Sequence, residues 1–319
     1  MLDEPDPSDP SSTLEESSVN ILKPKIGLAL GGGVARGWTH IGVMRAMMRA
    51  GIRPDIIAGT SIGALVGGAY LTDNLDILEQ WARSLNKRRM LSYLDINFGG
   101  SGFISGTKLN KLLDKYLGDV CFEDLDRRFI TVTTELATAH EIWLRHGSVV
   151  EAIRASYALP GVFPPVNIEN RWLIDGALVN PVPVSVCRAF GARLVIAINL
   201  HADPFGMHNL EEGQRLEDEN GDDKKSTSIT DILSNPQKVL MKQLFGMGPK
   251  APGVGTVMLG SLNIVMDRLS RSRLAGDPPD VMINPRIGHF SLLDFDRADE
   301  MIAIGEAAFE AQLPQIEEA

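Results

Sequence analysis

A serine between two glycines is the first feature of this sequence that suggests chemistry. Ser61 lies in the segment Gly59-Thr60-Ser61-Ile62-Gly63, which has the pattern G-x-S-x-G. In this pattern a sharp strand-to-helix turn exposes the serine oxygen, and the flanking glycines avoid clashes across the turn. An apolar run precedes Gly59 and a helical pattern follows Ser61, so the context fits. We interpret Ser61 as the nucleophile of an ester hydrolase; the alternative is a glycine-rich turn in which Ser61 only caps a helix.

A second glycine-rich turn, Gly31 to Gly37, reads GGGVARG and also follows an apolar run. Consecutive backbone N–H groups in such a turn form an anion-binding concavity. A Walker A loop would need Lys followed by Ser or Thr, and a dinucleotide fingerprint would need G-x-G-x-x-G; neither is present. Nucleotide binding is therefore disfavoured. The remaining interpretation is an oxyanion hole with donors from Gly32, Gly33 and Val34.

A carboxylate at the end of a short apolar segment is the third feature. Asp175 follows Arg171 to Ile174 and begins the sequence Asp175-Gly176-Ala177. A carboxylate at a strand end beside a glycine suits a base that must approach the serine closely. Asp-Gly is also the commonest turn signal, so these residues alone do not separate a base from a turn.

The elements around these motifs alternate between short apolar runs and helical patterns. We predict strands at 26–30, 56–58, 129–136, 141–144, 171–174, 194–200 and 281–284. We predict a helix directly after the glycine-rich turn, with Trp38, Ile41, Met44 and Met48 on one face, and further helices at 62–70, 75–85, 107–117, 149–157, 182–190, 229–245, 255–269 and from about 296. This order predicts an α/β fold of three layers, with a mostly parallel central sheet flanked by helices. Parallel strands would bring the glycine turn and the serine turn to the same edge of the sheet, where ligands bind.

Composition divides the chain into a leader and one domain. Residues 1–23 are acidic and rich in Pro and Ser, which predicts a disordered leader. The rest, 24–319, is expected to form the catalytic domain, with an acidic loop and helical excursion at about 202–255. The methionines of residues 229–269 suit either core packing or an apolar flap that contacts a membrane near a lipid site.

The bulk composition narrows the class of protein further. The net charge of −10 disfavours binding to nucleic acid, whose phosphates repel an acidic chain. Cys121 and Cys187 have no CxxC spacing, which predicts two reduced thiols in a core rather than a zinc site or a disulfide. The leader lacks the pattern of a signal peptide, and no apolar stretch reaches about 18 residues. We expect a cytoplasmic protein, with peripheral membrane contact left open.

Together the three motifs resemble those of the patatin-like phospholipases. That family combines a glycine-rich loop ending in Arg-Gly or Lys-Gly, a G-x-S-x-G turn, and Asp-Gly-Gly or Asp-Gly-Ala. The segment Ala158 to Pro165, ALPGVFPP, is also similar to the family's segment before the aspartate. The resemblance covers roughly residues 25 to 200. One departure is Val34, which stands where many members have glycine; its amide can still donate, but its side chain narrows the approach to the serine.

The resemblance implies a lipid acyl hydrolase with a Ser-Asp dyad and no histidine. Ser61 would attack an acyl ester to form an acyl-enzyme, Asp175 would be the base, and amides near Gly32, Gly33 and Val34 would hold the oxyanion. Arg36 would orient this loop or meet a phosphate head group, or it is only structural. No cofactor and no metal are implied. Since an ordinary Asp has a pKa of about 3.9, burial must raise it to match this role.

Two alternatives remain open at this point. A Ser-Asp-His triad needs a histidine after Asp175, and of His201, His208 and His289 the last, in Arg286-Ile287-Gly288-His289, is the best candidate. The other alternative is a regulatory protein that keeps the fold and has little turnover. The sequence defines neither the acyl-chain length and head group of a substrate nor the oligomeric state.

Overall fold

A computed structural model of the protein describes residues 24–86, 106–202 and 254–319. The predicted leader, and nearly all of the predicted excursion at about 202–255, lie outside these residues. The strands are β1 (Ile26–Leu30), β2 (Ile56–Thr60), β3 (Arg128–Glu135), β4 (Glu141–Leu144), β5 (Val166–Ile168), β6 (Arg171–Asp175), β7 (Leu194–Ile198) and β8 (Val281–Ile283). The α-helices are α1 (Trp38–Arg49), α2 (Ile62–Leu71), α3 (Leu75–Ser84), α4 (Thr107–Leu117), α5 (Val149–Ser156), α6 (Val184–Ala189), α7 (Val254–Gly276), α8 (Ala298–Glu310) and α9 (Leu313–Glu318).

The described strands form one mixed sheet in which parallel pairing dominates the centre. The pairing order is β5-β6-β3-β2-β1-β7-β8, with β4 paired to β3 outside this path. β1 pairs in parallel with β2 and β7, β2 with β3, and β7 with β8. β4, β5 and β6 pair antiparallel to their neighbours. The predicted α/β class with a mostly parallel sheet is confirmed.

Side chains of alternate strand residues face two separate cores, which makes the structure three-layered. Along β1, Leu28 and Leu30 pack into one core and Ala29 into the other. Since successive side chains of a strand point to opposite faces, this alternation places a core on each side of the sheet. The first core is shared with α1 to α5, α8 and α9, and the second with α6 and α7.

Helix α1 packs against α8, and its residues from Trp38 to Met44 are all buried. A Cβ at Gly42 would overlap the carbonyl oxygen of Ile302 in α8. A Cβ at Gly305 would overlap the carbonyl oxygen of Thr39 in α1. The two glycines therefore let the backbones of α1 and α8 pack at close range, and α1 anchors the C-terminal end of the glycine-rich loop that precedes it.

Strand pairing on β3 determines how the two site motifs meet. β2 pairs with residues 128–132 of β3, β4 with residues 131–134, and β6 with residues 133–135. Since β4 shares β3 residues with both β2 and β6, it must occupy the edge opposite to both. β2 and β6 therefore follow one another along the same edge of β3.

The carboxyl ends of β2 and β6 point toward each other on that edge. β2 runs parallel to β3 and ends at Thr60, opposite Val132. β6 runs antiparallel and ends at Asp175, opposite Thr133. Ser61, the residue after Thr60, is thereby brought next to Asp175 although 114 positions separate them in the chain.

Several predicted elements differ in detail from the structure. β5 was not predicted, and β7 ends at Ile198, two residues before the predicted end.

Cys187 is buried and Cys121 half-buried, and both are free thiols. Among the described residues, no helix has both the length and the apolar character needed to cross a membrane.

Candidate active site

Ser61 occupies a strained turn between β2 and α2. Its backbone has φ 56° and ψ −122°, a left-handed region that non-glycine residues rarely adopt. The turn is also tight, because a Cβ at Gly59 would lie 2.6 Å from the backbone of Ala64 and one at Gly63 would overlap the carbonyl of Leu30. Both motif glycines are therefore needed for this turn, and the strain is of the kind found at functional sites.

The hydroxyl of Ser61 donates a hydrogen bond directly to Asp175. The distance from Ser61 Oγ to Asp175 Oδ2 is 2.7 Å. The other carboxylate oxygen, Oδ1, accepts the N–H of Ala177 at 2.8 Å, and the backbone carbonyl of Asp175 accepts Thr134 Oγ1 at 2.9 Å. A Cβ at Gly176 would overlap the carbonyl of Val132, so the predicted Asp-Gly pair is needed for this close packing. The geometry is that of a hydroxyl beside a fixed proton acceptor.

Burial changes the acid–base behaviour of this carboxylate. Asp175 is 2% exposed, and its carboxylate has no cationic hydrogen-bond partner among the described residues. Burial penalises the charged form and raises the pKa of Asp175 to about 6, against the lowering effect of the hydrogen bonds from Ala177 and Ser61. A carboxylate with this pKa is ionised at neutral pH, yet is a stronger base than an ordinary Asp.

The glycine-rich loop passes beside Ser61, but only part of it is free to donate. A Cβ at Gly32 would lie 3.5 Å from the Cβ of Ser61, so the two turns are in contact. The N–H of Gly32 donates to Pro181 O at 2.9 Å, which corrects its predicted role as an oxyanion donor. The N–H groups of Gly33 and Val34 donate to no acceptor within the described residues. The donors available to an anion here are therefore those of Gly33 and Val34.

A largely apolar cavity lies over the Ser61–Asp175 pair. Its volume is about 1070 Å³, including space open to solvent. Apart from Ser61 and Asp175, its lining residues are Val34, Trp38, Ile62, Leu65, Trp81, Leu85, Leu109, Tyr157, Leu159, Val162, Phe163, Leu259, Leu292, Leu293 and Phe295. The phenol of Tyr157 donates to Asn110 Oδ1 at 2.9 Å. Such a cavity suits a long apolar ligand with one polar group at the serine.

The comparison with family models matches residues 28–188 to the patatin-like phospholipases, over half of the chain. The chain belongs to this family. An "Uncharacterized NTE family protein" of Mycobacterium tuberculosis is 31% identical over 323 residues, 89% of this chain and 90% of that protein. A lysophospholipase of Emericella nidulans is 29% identical over 289 residues, 88% of this chain but 18% of that protein. Among solved structures, VipD from Legionella pneumophila matches with a TM-score of 0.47 and 13% identity, over 93% of this chain and 67% of that chain.

The structure also places two further residues of the glycine-rich loop, Arg36 and Gly37. Arg36 is 5% exposed and donates to the backbone carbonyls of Phe290, at 2.8 and 3.0 Å, and Gly288, at 3.4 Å. The guanidinium therefore holds the glycine-rich loop against the segment before α8. Arg36 is not among the residues that line the cavity over Ser61. Gly37 is needed because a Cβ there would overlap Ile62.

The structure does not bring the triad candidate His289 to the Ser61–Asp175 pair. His289 is exposed, and its ring stacks on Phe290 with centroids 4.1 Å apart. His201 is buried, where desolvation lowers its pKa to about 4, and His208 lies outside the described residues. Both oxygens of Asp175 are already occupied, by Ser61 and by the backbone. The alternative of a Ser-Asp-His triad through His289 is therefore not supported by the structure.

Ser156 supports the serine turn and was not recognised in the sequence. Its Oγ accepts the N–H of Ser61 at 2.8 Å and donates to Val132 O at 2.7 Å. It thereby fastens the backbone of the strained residue to β3. The only signal in the sequence is its position two residues before the Ala158 to Pro165 segment, and a serine at the end of a helix is too common to be singled out.

Val34 carries strain that glycine would remove. Its φ is 53°, where a β-branched residue costs about 1–2 kcal/mol. Glycine loses more conformational freedom on folding, by about 0.5–1 kcal/mol, which offsets part of the gain. For Val34→Gly we expect a free energy of unfolding within about 1 kcal/mol of wild type, or higher, by chemical denaturation. The matched control is Val43→Gly in α1, where Val43 is fully buried and the loss should exceed about 3 kcal/mol. Equal losses for both variants would contradict this.

Proposed function

We propose that this patatin-family protein hydrolyses acyl esters of lipids through a Ser-Asp dyad. The observation that carries the proposal is the 2.7 Å hydrogen bond from Ser61 Oγ to the buried Asp175 carboxylate at the floor of an apolar cavity. The name of the lysophospholipase of Emericella nidulans supports a lipid ester as the substrate class. Phospholipids, lysophospholipids and simple acyl esters all belong to this class.

In the first half-reaction, Ser61 Oγ forms a bond to the ester carbonyl carbon while its proton passes to Asp175 Oδ2. The carbonyl oxygen becomes an oxyanion, for which the free N–H groups of Gly33 and Val34 are the donors. Collapse of the tetrahedral intermediate breaks the bond to the alcohol, which leaves with the proton from Asp175. The products of this step are an acyl-Ser61 and a free alcohol or lysophospholipid.

In the second half-reaction, water attacks the acyl-enzyme. Asp175 takes a proton from the water, the oxyanion forms again, and the bond to Ser61 Oγ breaks as the serine regains its proton. A fatty acid is released and the enzyme returns to its first state. The positive end of the α2 dipole, next to Ser61, favours the negative charge of both tetrahedral intermediates.

The test is hydrolysis of a panel of acyl esters, from short-chain nitrophenyl esters to lysophospholipid, followed as fatty acid release. A fluorophosphonate probe should form a covalent adduct on the Ser61 peptide, read by mass spectrometry. Absence of both hydrolysis and labelling in folded wild-type protein would reject the enzyme and favour the regulatory alternative.

The cavity should determine which acyl chains are accepted, and Leu65 offers a way to shorten it. Leu65 lies in α2 four residues after Ser61 and lines the cavity. In Leu65→Trp, the indole would displace about four methylene groups of a long chain, each worth about 0.8 kcal/mol of burial. We expect kcat/KM for long-chain esters to fall by about 10²-fold relative to a four-carbon ester.

The matched control for this substitution is Ile264→Trp on the exposed face of α7, which should leave the chain-length preference unchanged. Melting temperatures verify that both variants fold. A uniform fall in kcat/KM across all chain lengths for Leu65→Trp would contradict acyl binding in this cavity.

A further inference from the structure

His40 is a buried polar residue beside the glycine-rich loop that the proposed reaction does not use. It lies in the first turn of α1 with a side chain 0% exposed. Its Nε2 is 2.7 Å from the carbonyl oxygen of Gly31. Since a carbonyl oxygen only accepts, Nε2 must carry the hydrogen and donate. The other nitrogen, Nδ1, is buried without a hydrogen-bond partner among the described residues, which suits a neutral ring.

This hydrogen bond holds one end of a peptide unit whose other end is also held. The Gly31 carbonyl and the Gly32 N–H belong to the same trans peptide bond and point in opposite directions. The carbonyl accepts from His40, and the N–H donates to Pro181 O at 2.9 Å. No other donor to the Gly31 carbonyl occurs among the described residues. His40 is therefore the contact that sets one side of this peptide plane.

The orientation of the Gly31–Gly32 peptide plane affects the direction of the two free N–H groups that follow it, those of Gly33 and Val34. Gly33 O accepts the N–H of Arg36 at 3.1 Å, which turns the N–H of Val34 the opposite way. Between the two fixed planes lie only Gly32 and Gly33, whose backbones are the most permissive of any residue type. The direction of the Gly33 and Val34 amides thus depends on both ends of the segment being held.

We propose that His40 is a positioning residue for the oxyanion hole. By holding the Gly31 carbonyl, it aims the amides of Gly33 and Val34 at the oxyanion that develops on the carbonyl oxygen of the ester. The inference rests on the proposed hydrolysis at Ser61. A misplacement of the donors by about 1 Å is sufficient to lower a rate by about 10²-fold, since the oxyanion forms only in the transition state.

The test compares His40→Leu, which removes the donor, with His40→Gln, whose side-chain amide can donate to the same carbonyl. For His40→Leu we expect kcat to fall by about 10²-fold with KM changed less than about threefold. The inhibition constant of a long-chain trifluoromethyl ketone, which forms a tetrahedral adduct with an oxyanion, should rise by a similar factor. His40→Gln should recover at least about tenfold of the lost kcat.

The matched control is Thr39→Val, one residue earlier in α1. This replaces a fully buried hydroxyl, which has no hydrogen-bond partner in the described part of the chain, with a methyl group. It should leave kcat and the inhibition constant unchanged. The proposal is overturned if folded His40→Leu keeps wild-type kcat, if KM rises instead of kcat falling, or if His40→Gln and His40→Leu are equally impaired. Hydrolysis that persists in Ser61→Ala would reject the proposed function itself, which is a different outcome from these three.

Discussion

Replacing Ser61 with alanine should lower kcat/KM for every acyl ester by at least about 10⁴-fold. Among the described residues, the hydroxyl of Ser61 is the one side-chain oxygen hydrogen-bonded to the Asp175 carboxylate in the cavity, so its removal should prevent formation of an acyl-enzyme. Loss of a nucleophile commonly costs this much, and the remaining rate reflects binding and oxyanion stabilisation alone. The measurement is steady-state hydrolysis of nitrophenyl and lysophospholipid esters, together with fluorophosphonate labelling.

The control for this prediction is a serine outside the site. Ser272 is exposed on α7, and Ser272→Ala should keep wild-type turnover and labelling. Ser61→Ala should melt within a few degrees of wild type, because it loses one hydroxyl and keeps its Cβ. If a folded Ser61→Ala retained a tenth of the activity, or accepted the probe on another residue, the nucleophile would lie elsewhere.

Features carried by short segments could be predicted from the sequence. The turn at Ser61 depends on two flanking glycines and an apolar run, all within a few residues, and β1 and β4 have the predicted bounds. The same holds for Asp175, whose strand and following glycine are local signals. The alternation of strands and helices then implies a parallel sheet, and a parallel sheet collects its loops at one edge.

Features that depend on contacts between distant segments could not be predicted. The N–H of Gly32 is occupied by Pro181, about 150 positions later, and nothing near Gly32 indicates this partner. The two hydrogen bonds of Ser156, with Ser61 N and Val132 O, and the hydrogen bond of His40 with Gly31 O exist only because the fold brings these residues together. A histidine after the aspartate satisfied the chain order of a triad, but order does not imply proximity, and His289 lies exposed beside Phe290.

The pH dependence of the reaction follows from the burial of Asp175. Protonated Asp175 cannot accept the serine proton, so activity requires the ionised form. Because burial raises its pKa to about 6, kcat/KM should rise about tenfold per pH unit below that value and level off above it. A profile of kcat/KM from pH 4.5 to 8, which reports on the free enzyme, checks this. A flat profile over that range in protein that stays folded would exclude Asp175 as the base.

Asp175→Asn should be nearly inactive and, at pH 8, more stable than wild type. The amide keeps the shape and the contact with the Ala177 N–H but cannot take the proton, so kcat/KM should fall by about 10²- to 10⁴-fold. The folded-state pKa of about 6 lies above the ordinary value of 3.8, so the native state binds the proton more tightly than the unfolded state. Wild type therefore loses stability as pH rises from about 4 to 6, by about 3 kcal/mol in total, and gains none of it back above that pH.

The asparagine side chain has no charge to bury. The stability of Asp175→Asn should therefore not fall between pH 4 and 6 as that of wild type does. The difference in melting temperature between Asp175→Asn and wild type should be several degrees at pH 8 and should vanish near pH 4, where both residues are neutral. Ser61→Ala is the matched control: it should also be inactive but keeps the buried carboxylate. Because it loses a hydrogen bond that lowers the pKa of Asp175, it should lose at least as much stability with rising pH as wild type does. If Asp175→Asn and Ser61→Ala showed the same pH dependence, the charge of Asp175 would not be buried at a cost. If instead only Asp175→Asn lacks the loss of stability with rising pH, the unfavourable burial of the Asp175 carboxylate is what makes it a strong enough base without a histidine.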